Sequence, residues 1–361
     1  MTSAIVTFVS YIVGRAYDDA LNYMVPFAVP VAQPIYFLGV EYASSGRDNA
    51  TASFLEDFRS RIFLPYREGF ESIALPGEYN HTKLTSDTGW GCAIRSTQML
   101  VAQALVDIRL GREFRSAYAT PDQLDEVLRI AWRFADIREG ELSIHRMVSF
   151  GLERLGKPPG TWFGPSSGAV AVSSLWFPTN SIGVLYSSDG TIVIPEIFES
   201  LQSRPEGTIV LVGLRLGMHT TDLGTYKEEL LRLFRQNLFQ GMVGGDGIRA
   251  FYIPAASETH LYYMDPHTVR PALNDASRIR ELLVSMTAPY KMRWERLDPQ
   301  ISLAFSIRSA DDARNLIDFM RTSILFNVVD ARPTEPVWVE DRLSASSDDE
   351  VVLEDNHTTY V

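Results

Sequence analysis

A single cysteine, Cys92, stands at the end of Thr85-Ser-Asp-Thr-Gly-Trp-Gly-Cys92, where a polar, glycine-containing run gives way to an apolar one (Ala93, Ile94, Met99 to Ala102, Ala104 to Val106). An apolar run free of Pro and Gly reads as a buried helix, so Cys92 sits where a turn enters that helix. The first backbone N–H groups of a helix lack partners and carry partial positive charge. A thiolate there is stabilised, and its share of the nucleophilic form at neutral pH rises. The competing reading is a thiol packed as a small hydrophobe, the commoner fate of a lone Cys.

The second chemically suggestive stretch is Tyr262-Tyr-Met-Asp-Pro-His-Thr268. In extended chain, residues i and i+2 point to one side, so Asp265 and His267 share a face at the end of a strand. A carboxylate beside an imidazole selects its tautomer and stabilises imidazolium. Cys92, His267 and Asp265 then supply the nucleophile, base and orienter of thiol hydrolysis. The competing reading is a structural Asp-Pro turn followed by a surface His. Tyr66, on the extended Arg61 to Arg67 segment, carries a hydroxyl able to donate to an oxyanion beside the Cys92 N–H, although its sequence context alone favours a core aromatic. Trp162, in Gly160-Thr-Trp-Phe-Gly-Pro165, reads as core packing first and as a substrate lid second.

The elements that must position these residues follow from periodicity and punctuation. Residues 33–42 read as a strand, 44–50 as a polar loop, and Ser53 as the cap of a short helix carrying Phe54, Leu55 and Phe58. Residues 75–88 form a Pro/Gly/Asn loop before the cysteine helix. Thr120-Pro121 starts a helix running to about Ile137. Further helices are expected over 142–152, 167–176, 226–239, 277–286 and 309–326. Strands are expected over 208–216, 250–254 and 261–264, and a hairpin over 182–194 about Asp189-Gly190. Gly241 to Gly247 reads as a flexible loop flanking the site. With helices gathered in the first half and strands in the second, the fold class is α+β.

Composition bounds the function. The chain has 361 residues, 45% hydrophobic and 22% charged, with a formal net charge of −12, ordinary for a globular protein. Lys/Arg clusters of the kind that track a nucleic-acid backbone are missing, so no nucleic-acid partner is expected. One cysteine excludes an intrachain disulfide and a multi-cysteine zinc site, which fits a reducing, cytoplasmic setting. His81, His145, His219, His260 and His357 show no metal-ligand spacing, so neither metal nor cofactor is expected. The apolar run Ala4 to Val13 is too short to span a bilayer and lacks a preceding Lys or Arg. It reads as an element packed on the body, with a cryptic signal segment as the alternative. Sequons at Asn49, Asn80 and Asn356 are accidental without secretion. Gly164-Pro-Ser-Ser-Gly168 matches the spacing of a serine nucleophile elbow but lacks the apolar strand that must precede one, so it reads as a helix cap at Ser166 or Ser167. Gly241-Met-Val-Gly-Gly-Asp-Gly247 lacks the Lys-Ser/Thr ending of a phosphate loop.

Taken in order, several motifs resemble the autophagins, the autophagy-related cysteine proteases of the papain-like clan. They are Tyr36-Phe-Leu-Gly39, Phe54 to Arg61 with Tyr66-Arg67, Thr85 to Cys92 with Arg95 and Gln98-Met-Leu100, Ser143-Ile-His145, Trp162 to Pro165, Leu214-Arg-Leu-Gly217, Gly244-Gly245 and Asp265-Pro-His267. The resemblance runs over roughly residues 33–325. It implies a papain-like fold with a small inserted auxiliary subdomain, an N-terminal arm over 1–32, a protease domain over 33–330 and an acidic, disordered tail over 331–361. It makes Cys92 the nucleophile, His267 the base, Asp265 its orienter and Tyr66 the oxyanion donor. Trp162 walls the channel for the substrate tail, and Gly244-Gly245 belongs to a loop that moves when substrate enters.

The substrate so implied is the ubiquitin-like autophagy modifier, cut after its near-terminal glycine and released from phosphatidylethanolamine. The enzyme is then a monomer that meets autophagic membranes only through the conjugate. A glycine suits a tight aromatic gate because it has no Cβ. The chain departs from the family's pattern at Gly247, often Pro there, and at Ser96, which stands where some members carry a second cysteine. An aromatic-x-x-aliphatic docking motif is not evident in the tail. Two alternatives remain at this stage: an inert protein that holds the modifier, and a papain-like protease acting on another ubiquitin-like conjugate.

Overall fold

The computed structural model of the protein describes residues 33–43, 50–74, 83–279 and 286–331. Outside these residues lie the arm over 1–32 with its Ala4 to Val13 run, most of the loop 44–50 and residues 75–82 of the loop before the cysteine. Residues 280–285 of the helix expected over 277–286, the tail from 332 and all three sequons also lie outside.

The segment 33–42 is a hairpin rather than one strand. β1 (Ile35–Phe37) and β2 (Val40–Tyr42) pair antiparallel across Leu38 and Gly39. Both turn residues have positive φ, 48° and 83°, as a two-residue type I′ turn requires. The strained Leu38 is over-determined from both sides. Its side chain is buried, and Arg112 donates to the carbonyls of Phe37 (2.8 Å) and Leu38 (2.7 Å). Helix α1 (Ala50–Arg59) turns Phe54 and Phe58 inward together with Asp57. Ser53 lies inside this helix, so it is not its cap. The fully buried Asp57 accepts from Arg61 (2.7 Å), Arg112 (2.6 Å) and the Tyr42 hydroxyl (2.6 Å).

β3 (Tyr66–Ala74) and β4 (Lys83–Ser86) precede α2 (Cys92–Leu110), which is buried from Cys92 through Asp107 as its sequence demands. α3 (Pro121–Trp132) starts on a capping box of Thr120 and Gln123. It stops short of Ile137 because residues 133–137 turn toward Leu273, whose carbonyl accepts the Asp136 N–H (2.7 Å). α4 (Ile144–Leu155) is capped by Ser143. α5 (Pro165–Leu175) has Gly164 at its cap and Pro165 at its first position, so neither Ser166 nor Ser167 caps it.

β5 (Ile182–Ser187) and β6 (Thr191–Val193) do not form the expected hairpin. Asp189 accepts the Thr191 N–H (2.9 Å), an Asx turn that redirects the chain. β5 then pairs parallel with β7 (Gly207–Arg215), and β6 pairs parallel with β14. α6 (Ile194–Ser203) separates β6 from β7. α7 (Leu223–Phe234) starts on its Asp222 cap and ends before β8 (Phe239–Gly245). β9 (Ala250–Ala256), β10 (His260–Met264), β11 (Val269–Pro271), the short α8 (Ala276–Ile279) and β12 (Tyr290–Arg293) follow. Last come β13 (Gln300–Ile307), α9 (Ala310–Arg321) capped by Ser309, and β14 (Asn327–Val329).

The main sheet runs β12-β10-β9-β8-β13-β7-β5, antiparallel except at β5–β7, with β1 and β2 added beside β9. Its strands are apolar on both faces because both faces are covered. Ile209, Leu211 and Tyr252 face the core shared with α2, whereas the alternate residues Val210, Val212 and Phe251 face a second core with α7 and α9. A three-stranded sheet, β11-β3-β4, packs beside the start of α2, and β6–β14 form a separate pair. The arrangement is the expected α+β class. Among the described residues no helix is long and apolar enough to cross a membrane.

Asp57 joins α1 to Arg61, Arg112 and the β1–β2 turn, and its loss leaves buried guanidinium groups without their anion. Asp57→Ala is expected to destabilise the fold by about 3–5 kcal/mol, read as a fall in the urea midpoint at unchanged slope.

Candidate active site

The approach to Cys92 is a turn with a specific requirement. The Trp90 and Gly91 N–H groups both donate to the Asp87 carbonyl (3.2 and 2.8 Å), and Gly89 has φ 86°. Positive φ at the third position of a β-turn is the type II pattern, which favours Gly there. Cys92 is the first residue of α2, Gly91 offers no capping side chain, and the thiol is 2% exposed. The sulfur therefore lies at the positive end of a 19-residue helix.

Opposite it, the chain leaves β10 and passes through Asp265-Pro266-His267. One oxygen of Asp265 accepts both the His267 backbone N–H (3.0 Å) and the ring Nδ1 in a short ion pair. That pairing leaves Nε2 to face the sulfur, and the imidazole hydrogen-bonds Cys92. The ring is held edge-on between two aromatics, Tyr66 (centroids 5.1 Å) and Phe251 (5.8 Å). The Tyr66 N–H donates to the Pro266 carbonyl (2.8 Å), and β3 continues in parallel register with β11, Tyr66 beside Val269.

The two titrating groups are displaced in opposite directions. Burial pushes the Cys92 thiol up, but the His267 hydrogen bond, the Ala250 N–H, the imidazolium charge and the Trp162 indole N–H outweigh it, and the thiol lies below its ordinary value. Burial pushes His267 down, but hydrogen bonds to Asp265 and Cys92 and their charges carry it up to about 9. The two shifts favour the thiolate–imidazolium form of the pair over the neutral one. The Tyr66 hydroxyl is pushed far up, first by burial and then by Cys92. It stays protonated, donates to Cys92 and accepts from the Gly89 N–H. An un-ionised phenol beside a thiolate is able to donate to an oxyanion formed there.

The structure thus brings Cys92, His267, Asp265 and Tyr66 into one cluster. Trp162 joins it from the loop before α5, 40% exposed and donating to the sulfur. Gly244 and Gly245 are placed differently from the expected loop. They end β8, buried and paired with Phe251 and Ala250. A Cβ on Gly245 would stand 1.8 Å from the Arg249 carbonyl, so the tight turn that follows excludes any side chain there. Both glycines line a narrow cavity of about 10 Å3 with Trp162, Gly247, Ala250 and Gln300.

Three further contributors were not singled out by the sequence. Ala250 acts through its backbone N–H, Phe251 through one face of its ring, and Gly89 through an N–H made available by the turn. Only Gly89 had a clue, its place in a run of turn residues. A much larger cavity, about 930 Å3 between α1 and α3, is lined by Leu124, Leu128 and Met286 and by none of the clustered residues. Size alone would have misplaced the site. Among the described residues no group of three or more His, Cys, Asp or Glu side chains is arranged to hold a metal.

Comparison with known proteins agrees with this chemistry. The family model for the peptidase C54 catalytic domain matches residues 51–319. The chain is 33% identical over 307 residues to a probable cysteine protease atg4 of Aspergillus oryzae, covering 76% of this chain and 74% of the relative. It is 33% identical over 293 residues to a probable cysteine protease atg4 of Sclerotinia sclerotiorum, covering 72% and 65%. With a probable cysteine protease ATG4 of Coccidioides immitis the identity is 32% over 308 residues, covering 78% and 69%. The chain therefore spans 65% to 74% of the length of these relatives.

The opposed shifts set the pH behaviour. Alkylation of Cys92 by iodoacetamide is expected to persist at pH values below the ordinary thiol range. Hydrolysis is expected to fall as pH rises through about 9, where His267 loses its proton. In His267→Ala the alkylation midpoint should climb to about 8.5 or above. An unchanged midpoint would mean that the imidazole does not ionise the thiol.

Proposed function

The chain belongs to the peptidase C54 family and is a cysteine protease, and on that premise we propose that it cleaves the ubiquitin-like autophagy modifier after its C-terminal glycine. The same site processes the precursor and releases the modifier from phosphatidylethanolamine. The enzyme works as a papain-like monomer in the cytoplasm and meets membranes only through the conjugate. Its net charge of −12 supports a protein substrate over nucleic acid.

The observation that carries this reading is the nucleophile's setting. A thiol held below its ordinary pKa lies against Trp162 and Ala250, which with Gly244, Gly245 and Gly247 wall a cavity of about 10 Å3. A space of that size holds roughly one water. A chain entering it must part the walls, and glycine, which has no Cβ, requires the least parting. The turn Asp246 to Arg249 is pinned by bonds from Arg249 (2.7 Å) and Arg296 (2.9 Å) to Asp246. Tail entry therefore requires Trp162 to move away from this turn, which the Asp246 bonds and the pairing of Gly244-Gly245 in β8 hold in place.

In the reaction, the Cys92 thiolate attacks the glycine carbonyl carbon, and the carbonyl pair moves onto oxygen. The Tyr66 hydroxyl and the Cys92 N–H hold that oxyanion. The imidazolium of His267 gives its proton to the leaving amine, either a peptide amine or the ethanolamine nitrogen, and the C–N bond breaks to leave a thioester. His267, now neutral and oriented by Asp265, takes a proton from water as it attacks the thioester. The C–S bond then breaks, the glycine leaves with a free carboxylate, and the thiolate–imidazolium pair is restored.

The test is cleavage of the modifier carrying a C-terminal reporter, and of its phosphatidylethanolamine conjugate, by wild type and Cys92→Ala. Cleavage after the glycine in both substrates, lost in the variant with modifier binding retained, is the expected result. Turnover by Cys92→Ala, or preference of wild type for another ubiquitin-like conjugate, would overturn the reading.

A further inference from the structure

Asp87 takes no part in the reaction described above, yet it touches the backbone segments that carry Tyr66 and Cys92. It is fully buried. Its Oδ1 accepts the Arg67 N–H (2.6 Å), one residue beyond Tyr66, while its own N–H donates to the Arg67 carbonyl (3.2 Å). Its carbonyl accepts from Trp90 and Gly91, the residues that lead into Cys92. Gly91 approaches so closely that a Cβ there would stand 2.7 Å from the Asp87 carboxyl. Oδ2 accepts from Arg95 Nε (2.6 Å), one helical turn beyond the nucleophile.

Arg95 extends the hold. Its Nη2 donates to Asp136 (2.8 Å), whose other oxygen accepts the Leu273 N–H (2.8 Å). Leu273 follows β11, the strand that carries the chain on from His267 and pairs with β3. Tyr66, Cys92 and His267 are thus tied through one ionic triad whose side chains have no exposed surface at Asp87 and Arg95.

We propose that Asp87 is a positioning residue for the hydrolysis. Through its bonds to Arg67, Gly91 and Arg95 it fixes the Tyr66 hydroxyl and the Cys92 sulfur in the register at which Tyr66 receives the oxyanion. Loops of this kind normally shift by more than catalytic geometry tolerates. A buried Asp bonded to four residues, through its carboxylate to Arg67 and Arg95 and through its carbonyl to Trp90 and Gly91, removes that freedom. The inference rests on the protease reading for its kinetic arm and on the geometry alone for its second arm.

The experiment is a double-mutant cycle on reporter cleavage with Asp87→Asn and Tyr66→Phe. Asp87→Asn is expected to lower kcat by about 10- to 100-fold, as a small misplacement does, with KM within about twofold. In wild type, Tyr66→Phe should cost about 100-fold. In the Asp87→Asn background it should cost less than about threefold, because the misplaced hydroxyl has little left to lose. Two losses that multiply would overturn the proposal, since a merely structural carboxylate leaves the worth of Tyr66 unchanged.

The second arm needs no substitution and no turnover. Amide hydrogen exchange of the wild-type protein should show the Arg67 and Gly91 N–H groups as slow as those inside α2. Exchange as fast as at an exposed turn would also overturn the proposal, including where Asp87→Asn does not fold. A wild type that cleaves no modifier reporter would count against the proposed substrate, and the exchange result would still decide the role of Asp87.

Discussion

Arg95 has no exposed surface and two carboxylates, Asp87 and Asp136, at 2.6 and 2.8 Å. A guanidinium in that position is tolerable only with its anions, because the cost of withdrawing it from water is several kcal/mol. The local fold follows from this constraint. The turn before the cysteine must bring Asp87 inward. α3 must end at Trp132 so that Asp136 can reach in, and the chain after His267 must pass close enough for Leu273 to meet Asp136. Gln98, on the same face of α2 as Arg95, adds a bond to the Leu142 carbonyl (2.7 Å). The helix that carries the nucleophile is therefore fastened by polar bonds at its start and by apolar packing along its length.

The thiol is placed where two effects oppose each other and the stabilising contacts prevail. A buried sulfur resists ionisation, and the helix start, the Ala250 N–H, the Trp162 indole and the imidazolium favour it. His267 sits in the mirror situation, with burial against the charge and Asp265 and Cys92 for it. Neither residue reaches its working state alone. His267 supplies the main compensation for Cys92, and Asp265 followed by Cys92 that for His267, which is why all three must be brought together by a fold that fixes both strands and helix. Burial then limits solvent access to the ionised sulfur, and Trp162 covers it from the loop before α5.

Several departures from the sequence-based expectations share one cause, and one does not. Residues 300–307 suggested no element, yet they form β13 at the middle of the main sheet, between β8 and β7. Gln-Ile-Ser-Leu-Ala-Phe-Ser-Ile does alternate, with Ile301, Leu303, Phe305 and Ile307 facing the second core and Ala304 the first. This strand was legible as a period-two run and, unlike the other departures, needed no distant partner to be read. Gly241 to Gly247 looked like a loop because glycines are poor strand formers, but the pairing of β8 with β9 and β13 holds most of it extended. The apparent hairpin over 182–194 dissolved because β5 and β6 each found a parallel partner far along the chain. Such partners, and the tight turn at Leu38-Gly39, depend on residues far away in sequence, such as Arg112.

By itself the sequence determined the local chemistry: a cysteine at a helix start, an Asp and a His two residues apart at a strand end, capped helices at Thr120, Ser143 and Ser309, and the α+β class. These are matters of neighbours within a few residues, where propensity, capping and periodicity act. The tertiary structure decided what those groups face. It set the Tyr66 ring against His267 and turned the Ala250 N–H to the sulfur. It made Gly244-Gly245 the base of a pinned turn, and it joined the three segments through Asp87, Arg95 and Asp136. The physical reason is that a pKa, an oxyanion contact or a buried ion pair depends on atoms a few ångströms away in space. Those atoms lie far apart in the chain, by 137 residues in the case of Asp136 and Leu273.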